Sequence, residues 1–88
     1  MITQMIGKSG NPVRNQFIIY ENDAVIFRSY KSIIAMKKGG KIYLDMNYWD
    51  YSNTTGRYRN LFLGETKKET ERKIKDKVYI LVDLNKEG

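Results

Sequence analysis

Residues 47–60 carry the side chains best suited to chemistry in this sequence, because aromatic rings alternate there with arginines. The rings and cations are Tyr48, Trp49, Tyr51, Arg57, Tyr58 and Arg59. Ring faces stack nucleic-acid bases and guanidinium groups bind phosphates, so this set is typical of single-stranded nucleic-acid binding. The same residue types dominate hot spots of protein interfaces. A third interpretation is internal, since rings and polar side chains also pin a long loop to its own protein.

A second group of cations, Lys68, Arg72 and Lys75, lies on the helix predicted over residues 66–76, at a spacing of i, i+4 and i+7. If this helix face adjoins the aromatic segment, the two form one aromatic and cationic surface; otherwise the cations are a solvated flank. Trp49 is expected to be the buried structural anchor of the segment. The predicted binding residues, for nucleic acid or a protein partner, are Tyr51, Arg57, Tyr58, Arg59, Lys68, Arg72 and Lys75.

Four carboxylates near these elements are available for acid-base or metal chemistry: Asp45, Asp50, Glu65 and Asp83. Asp45 and Asp50 flank the aromatic segment, but no metal-ligand or glycosidase spacing accompanies them. Structural roles are favoured instead. Asp50 is expected to accept hydrogen bonds from turn N–H groups, and Asp45 to pair with a neighbouring Lys or Arg. No catalytic residue, metal site or cofactor is predicted.

The composition excludes much of enzyme chemistry, because the chain contains no cysteine and no histidine. Thiolate nucleophiles, the usual zinc sites and Ser-His-Asp triads are absent together, so an enzyme is not expected. No apolar window approaches the roughly 20 residues that span a bilayer, and the N-terminus does not resemble a secretory signal. We therefore expect a soluble cytoplasmic protein without a membrane partner.

The formal net charge is +6 on only 88 residues, which favours anionic partners and salt-sensitive encounter. A positive charge of this size also serves solubility alone, and both interpretations stay open. Most of the excess lies in residues 1–44. If the aromatic segment proves buried, this basic N-terminal half is the alternative binding surface.

The chain is long enough for one domain with one small core. Residues 1–12 are polar and contain Gly7, Gly10 and Pro12, which predicts a flexible arm. Residues 13–85 are expected to form a single α+β domain, and residues 86–88 a tail. Apolar runs separated by turn residues predict hairpins over 16–30 and 32–46, the second with a Gly39-Gly40 turn.

The C-terminal third changes from apolar runs to a charged stretch that predicts one helix over 66–76. Thr66 and Glu69 have the spacing of a capping box, and Ile74 is the aliphatic residue expected to face the sheet. Glu69–Lys73 and Glu71–Lys75 are spaced as helix ion pairs. Residues 78–84 read as a central, helix-covered strand. The predicted fold is thus a small antiparallel sheet of two hairpins plus a C-terminal strand, with one helix packed on it.

Six short motifs carry a resemblance to other proteins: Ser29-Tyr30, Trp49 to Ser52, Thr54 to Gly56, Tyr58 to Asn60, Phe62 to Glu65 and Asp83 to Asn85. With them, about residues 15–85 resemble a group of small, functionally uncharacterised proteins of tailed bacteriophages. The resemblance implies a phage protein made in a bacterial cytoplasm. It implies either a nucleic-acid-binding accessory or an antagonist of a host or defence protein. Basic charge and the aromatic-arginine segment favour the first.

Overall fold

The computed structural model describes residues 1–86 and consists of a six-stranded sheet and two helices. The strands follow one another across the sheet in chain order, from β1 at one edge to β6 at the other. The predicted α+β class is confirmed, with one helix more than expected. The elements are β1 (Ile2–Ile6), β2 (Pro12–Tyr20), β3 (Ala24–Ser29), β4 (Ser32–Lys38), β5 (Lys41–Asp45), α1 (Asn53–Leu63), α2 (Lys67–Lys75) and β6 (Tyr79–Val82).

Strands β2 to β5 form an antiparallel meander that contains both predicted hairpins. The β4–β5 turn has φ angles of 60° at Gly39 and 75° at Gly40. A two-residue hairpin turn of this kind needs positive φ at both positions, and glycine adopts it without a Cβ clash. At the opposite end of the sheet, the β3–β4 turn places Tyr30 at a φ of 55°.

Residues 1–12 differ from the arm that the sequence predicts, because they include an edge strand. β1 pairs antiparallel with β2, with Ile2 opposite Ile19, and Met5 is buried in the core. A short edge strand is stabilised by pairing with its neighbour rather than by its own composition. The polar sequence with two glycines therefore gave no signal for β1. Of the predicted tail, Lys86 is described, and residues 87–88 lie outside the described residues.

Strand β6 pairs parallel with β5, with Ile42 opposite Tyr79. It is the edge strand of the sheet and shorter than the central strand expected over 78–84. Its apolar residues face both ways because Tyr79 is buried beneath the helices while Ile80 occupies the other face. Parallel neighbours require a crossover connection, and the two helices supply it.

Helix α1 occupies most of the segment that the sequence predicts to be irregular. The Oγ of Ser52 accepts from the Thr55 amide at 3.1 Å, which caps the N-terminus. Gly64 ends the helix at a φ of 70° and donates its amide to the Asn60 carbonyl. The prediction of a long loop was therefore wrong from residue 53 onward. A loop was predicted because Thr54 and Gly56 have low helix propensity.

Helix α2 begins with the predicted capping box, in which Thr66 and Glu69 exchange hydrogen bonds at 3.1 and 3.2 Å. Ile74 packs against the core, as predicted. The expected Glu69–Lys73 ion pair does not form within residues 1–86. Lys73 instead binds Glu65, whose carboxylate lies 2.7 Å from Nζ.

Both helices cover the same face of the sheet. On that face Phe27 lies opposite Ala35, and Ala35 lies opposite Leu44, so three buried residues meet across adjacent strands. The Phe62 ring of α1 contacts Phe27 with centroids 5.7 Å apart. The core therefore lies between one sheet face and the two helices, and the other sheet face has no helix on it.

We predict that Ile74→Asp lowers the free energy of unfolding by roughly 2 kcal/mol or more, because it removes apolar burial and places a carboxylate against the core. Urea denaturation monitored by circular dichroism measures the change. The control is Lys68→Asp on an exposed position of the same helix, which we expect to alter stability by less than about 0.5 kcal/mol. Equal stability of the two variants would contradict the packing of Ile74.

Candidate functional site

An aromatic groove of about 790 Å³ lies where β2, β3 and β4 end beside the turn before α1. Tyr48 and Tyr51 form one wall, with their rings in an edge-to-face pair at 5.5 Å. Tyr30 stands on the β3–β4 turn at the other side. Tyr30 and Tyr51 are 55% and 71% exposed, so both residues are available to a ligand.

Two cations line the aromatic groove. The Arg28 guanidinium lies over the Phe17 ring, 4.6 Å from its centroid, and its Nε is buried without a hydrogen-bond partner in the described residues. Lys31 follows Tyr30 in the turn and is exposed. The groove thus combines exposed ring faces with fixed positive charge.

A second, basic groove of about 580 Å³ separates the β1–β2 turn from α1. Lys8, Arg14 and Arg57 line it, with Tyr58 and Leu61 as its aromatic and apolar residues. It adjoins the aromatic groove in the chain, since Arg14 is followed by Asn15, which lines that groove. Among the described residues that line the two grooves, every charged side chain is cationic. Each groove is therefore suited to an anionic ligand.

Arg59 lines neither groove, contrary to the expectation that it lies near the surface. Its side chain is fully buried, and Nη1 donates to the Trp49 carbonyl at 2.7 Å and to Asp50 at 3.2 Å. Nη2 donates to the Asn60 side chain. A guanidinium with these partners holds the turn before α1 against the helix, because a buried cation requires such compensation.

The other predicted residues of the segment divide between inside and outside. Trp49 packs against the core and carries the Arg59 guanidinium 5.2 Å from its ring centroid, but it is half-buried rather than buried as predicted. Tyr58 is half-buried against the core and also lines the basic groove. Arg57 is exposed, and residues 1–86 offer it no carboxylate partner. The structure therefore brings Arg57 and Tyr58 together and places Tyr51 in the adjoining groove.

The α2 cations Lys68, Arg72 and Lys75 are exposed, and none of them lines either groove. Of the two alternatives left open for these cations, the linings of the grooves therefore favour a solvated flank over one surface shared with the aromatic segment. Apart from Arg57, the cations that line the grooves come instead from the N-terminal half of the chain. The sequence analysis did not identify five residues that line the grooves: Lys8, Arg14, Arg28, Tyr30 and Lys31. The available signal was the concentration of positive charge in residues 1–44.

Asp45 and Asp50 have the reverse of their expected roles. Asp45 is fully buried, and its carboxylate accepts from the amides of Asn47, Tyr48 and Leu84 at 2.8 to 3.0 Å. Asp50 instead pairs with Arg59 and, at 2.8 Å, with Lys67. Burial raises the pKa of the Asp50 carboxyl, but hydrogen bonds from Lys67 and Arg59 outweigh it, so the pKa lies below its usual value.

Glu65 is an internal acceptor rather than an exposed acid. Its carboxylate is only 4% exposed and accepts from Thr70, Lys73 and the Tyr79 hydroxyl at 2.6 to 2.7 Å. Burial raises the pKa of this carboxyl, but the hydrogen bonds from these three donors lower it more, and the net pKa is below its usual value. The cluster joins the α1–α2 turn to α2 and β6.

Residues 1–86 contain no group of three or more acidic side chains placed to hold a metal ion. Neither helix within that range is long and apolar enough to cross a membrane.

These features define a small α+β domain with an aromatic groove and an adjoining basic groove. Comparison with known families matches residues 1–78 to the family of unknown function DUF8033, and the chain belongs to that family. Searches of curated proteins and of solved structures gave no match.

We predict that the Glu65 cluster makes stability fall in acid. A carboxyl whose pKa is lowered on folding contributes stability above its ordinary value of 4.5, and this contribution is lost as pH falls through the lower folded pKa. Urea unfolding of the wild type should therefore show a steeper loss between pH 5 and pH 2 than Glu65→Gln, whose side chain does not titrate in that range. Equal acid dependence of the two proteins would contradict the assignment.

The burial of Arg59 gives a second prediction with a close control. Arg59→Leu leaves the Trp49 carbonyl and part of Asp50 without a donor, so we expect a loss of about 2 kcal/mol or more in unfolding free energy. Arg57→Leu alters an exposed arginine of the same helix and should change stability by less than about 0.5 kcal/mol. Thermal and urea unfolding distinguish the variants, and similar stability of both would place Arg59 outside the core.

Proposed function

We propose that this protein binds single-stranded nucleic acid along the aromatic and basic grooves. The observation that carries the proposal is the adjacency of exposed tyrosine rings to a set of cations without an acidic neighbour among the described lining residues. Backbone phosphates require fixed cations, and unpaired bases require ring faces. The two grooves together offer both requirements.

In the proposed complex, bases stack on Tyr30 and Tyr51, each stacked base contributing ~1–3 kcal/mol. Phosphates on one side of these bases bind Arg28 and Lys31. The strand then continues past Asn15 into the basic groove. The cations there contact successive phosphates through Lys8, Arg14 and Arg57. Tyr58 lies in this second groove as a further apolar contact for a sugar or a base.

Single strands suit this surface better than duplexes. In a duplex, the bases are stacked on one another and offer their edges rather than their faces. A tyrosine pair on a groove wall contacts a base only after that base leaves its stack, which single-stranded chains permit at small cost. The edge-to-face contact with Tyr48 fixes the orientation of the Tyr51 ring, so the face of this ring is positioned before a ligand binds.

The proposal also includes the biological context in which the protein binds nucleic acid. The motif run that resembles tailed-bacteriophage proteins supports a phage-encoded, non-enzymatic accessory acting in the cytoplasm of a bacterial host. Binding by stacking and phosphate contacts serves DNA and RNA alike, since neither contact requires the 2′-hydroxyl. The proposed partner is therefore a single strand of either kind.

The test compares two variants that remove the same amount of charge. The groove variant carries Gln at Lys8, Arg14 and Arg57, and the helix variant carries Gln at Lys68, Arg72 and Lys75. We expect the groove variant to lose about 2 units of salt slope on single-stranded oligonucleotides, about 0.7 for each lost phosphate contact. The helix variant should keep its slope, because its cations lie outside the grooves. Fluorescence anisotropy at several salt concentrations measures both.

The ring contribution is tested with the same oligonucleotides. Tyr51→Ala should weaken binding by about 5- to 100-fold, whereas Tyr20→Ala, which removes an exposed ring that lines neither groove, should not. If the two triple variants lose salt slope equally, binding is a diffuse charge effect. If wild-type protein binds duplex as tightly as single strand, the stacking proposal is wrong.

A further inference from the structure

The face of the sheet that carries no helix presents one apolar side chain from every strand. Residues paired across neighbouring strands project to the same face, and the observed register therefore fixes this row. Following the pairing from β1 to β6 gives the open-face row: Ile2, Ile19, Ile26, Met36, Tyr43 and Ile80. A row across six strands about 4.8 Å apart is roughly 24 Å long.

The open-face row is separate from the core. The helices contact the opposite face, where Phe62 meets Phe27 and Ile74 packs beside Tyr79. The row residues are half-buried by their neighbours or, for Ile2, 56% exposed, and none belongs to the core cluster. The solvated face of an antiparallel sheet normally alternates to polar residues. A continuous apolar row on such a face indicates an interaction surface.

Charge on the two sides of the row identifies the kind of partner. Arg28 lies two residues along β3 from Ile26, on the same face and on one side of the row. On the other side, Lys38 and Lys41 are paired across β4 and β5. One carboxylate shares the lysine side of the row: Glu21 follows β2, and its amide donates to the Ala24 carbonyl, which places it at the level of Lys38 and Lys41. The remaining residues that flank the row by register on β1 to β4 are uncharged. Lys38 lies 3.8 Å from Asp23, but both side chains are at least half exposed, so this contact is weak.

This charge pattern argues against a second copy of the chain as the occupant. Two identical faces can pack with a two-fold axis along the strands or across them. The first arrangement places Arg28 near its own equivalent, and the second places it near Lys38 and Lys41. Glu21 offers one exposed carboxylate against three cations on each face, so cations outnumber carboxylates in both arrangements, and each copy carries a net charge of +6. Like charges placed together across an interface disfavour it.

We infer that the open face binds an acidic amphipathic segment of another protein, with its apolar stripe on the row and carboxylates towards Arg28 and Lys41. Apolar contact supplies the burial, and the carboxylates supply the selection of partner. This surface is distinct from the nucleic-acid grooves, although Arg28 borders both. Variants that test the inference therefore leave Arg28 unchanged.

The experiment uses the full chain and two synthetic amphipathic helical peptides with the same leucine stripe. One peptide carries glutamates beside the stripe, and the other carries lysines there. We expect the glutamate peptide to bind and to shift the amide resonances of β2, β3 and β4 in NMR titrations. Ile26→Thr should weaken this binding at least tenfold, while Tyr20→Thr, which changes an exposed residue of the opposite face, should not. Lys41→Gln should weaken it and reduce its salt dependence, with Lys68→Gln as the control.

Four other outcomes overturn the inference. Equal binding of both peptides shows that charge does not select the partner. Absence of binding by the glutamate peptide shows that the row is not a docking surface. A concentration-dependent dimer in analytical ultracentrifugation that Ile26→Thr dissociates identifies a second copy as the occupant. Resonance shifts on the row with single-stranded oligonucleotide, abolished by Ile26→Thr, assign the face to nucleic acid. Unchanged melting temperature of Ile26→Thr confirms that these readouts concern binding.

Discussion

The parallel pairing of β6 with β5 is the constraint on which the remaining architecture depends. After the meander the chain must return to the starting end of β5 before it can add a parallel strand. It does so through α1 and α2, which pack on one face of the sheet and leave the other open. The grooves lie where α1 meets the strand ends and the β1–β2 turn. One topological requirement thus places both candidate surfaces.

The crossover is held by buried polar groups because a domain of 88 residues has little apolar core to offer. Asp45 ties the chain after β5 to the chain after β6, through the amides of Tyr48 and Leu84. Arg59 ties the turn before α1 to the helix, and Glu65 ties α2 to β6. Buried hydrogen bonds are directional, so these three centres fix the position of the helices as well as their attachment.

The sequence predicts elements whose signals are local and misses those whose stability comes from elsewhere. Gly39-Gly40 identifies a hairpin because the turn itself demands glycine, and Thr66 with Glu69 identifies a helix start. Helix α1 has low helix propensity around Gly56 and is stabilised by contacts with the sheet. Ser52 and Gly64, which cap its two ends, were the local signals that could have indicated this helix. The grooves combine residues distant in the chain, which spacing alone cannot bring together.

The missed helix also explains why one arginine was assigned to the wrong side of the molecule. In an extended loop, Arg57 and Arg59 are equivalent and both can face solvent. In a helix, successive residues rotate by about 100°, so positions two apart point in nearly opposite directions. One arginine therefore faces the basic groove, and the other enters the interior to meet Trp49 and Asp50. The aromatic-arginine segment is thus part anchor and part surface, and only its outward half, with cations from the first strands, is available to a ligand.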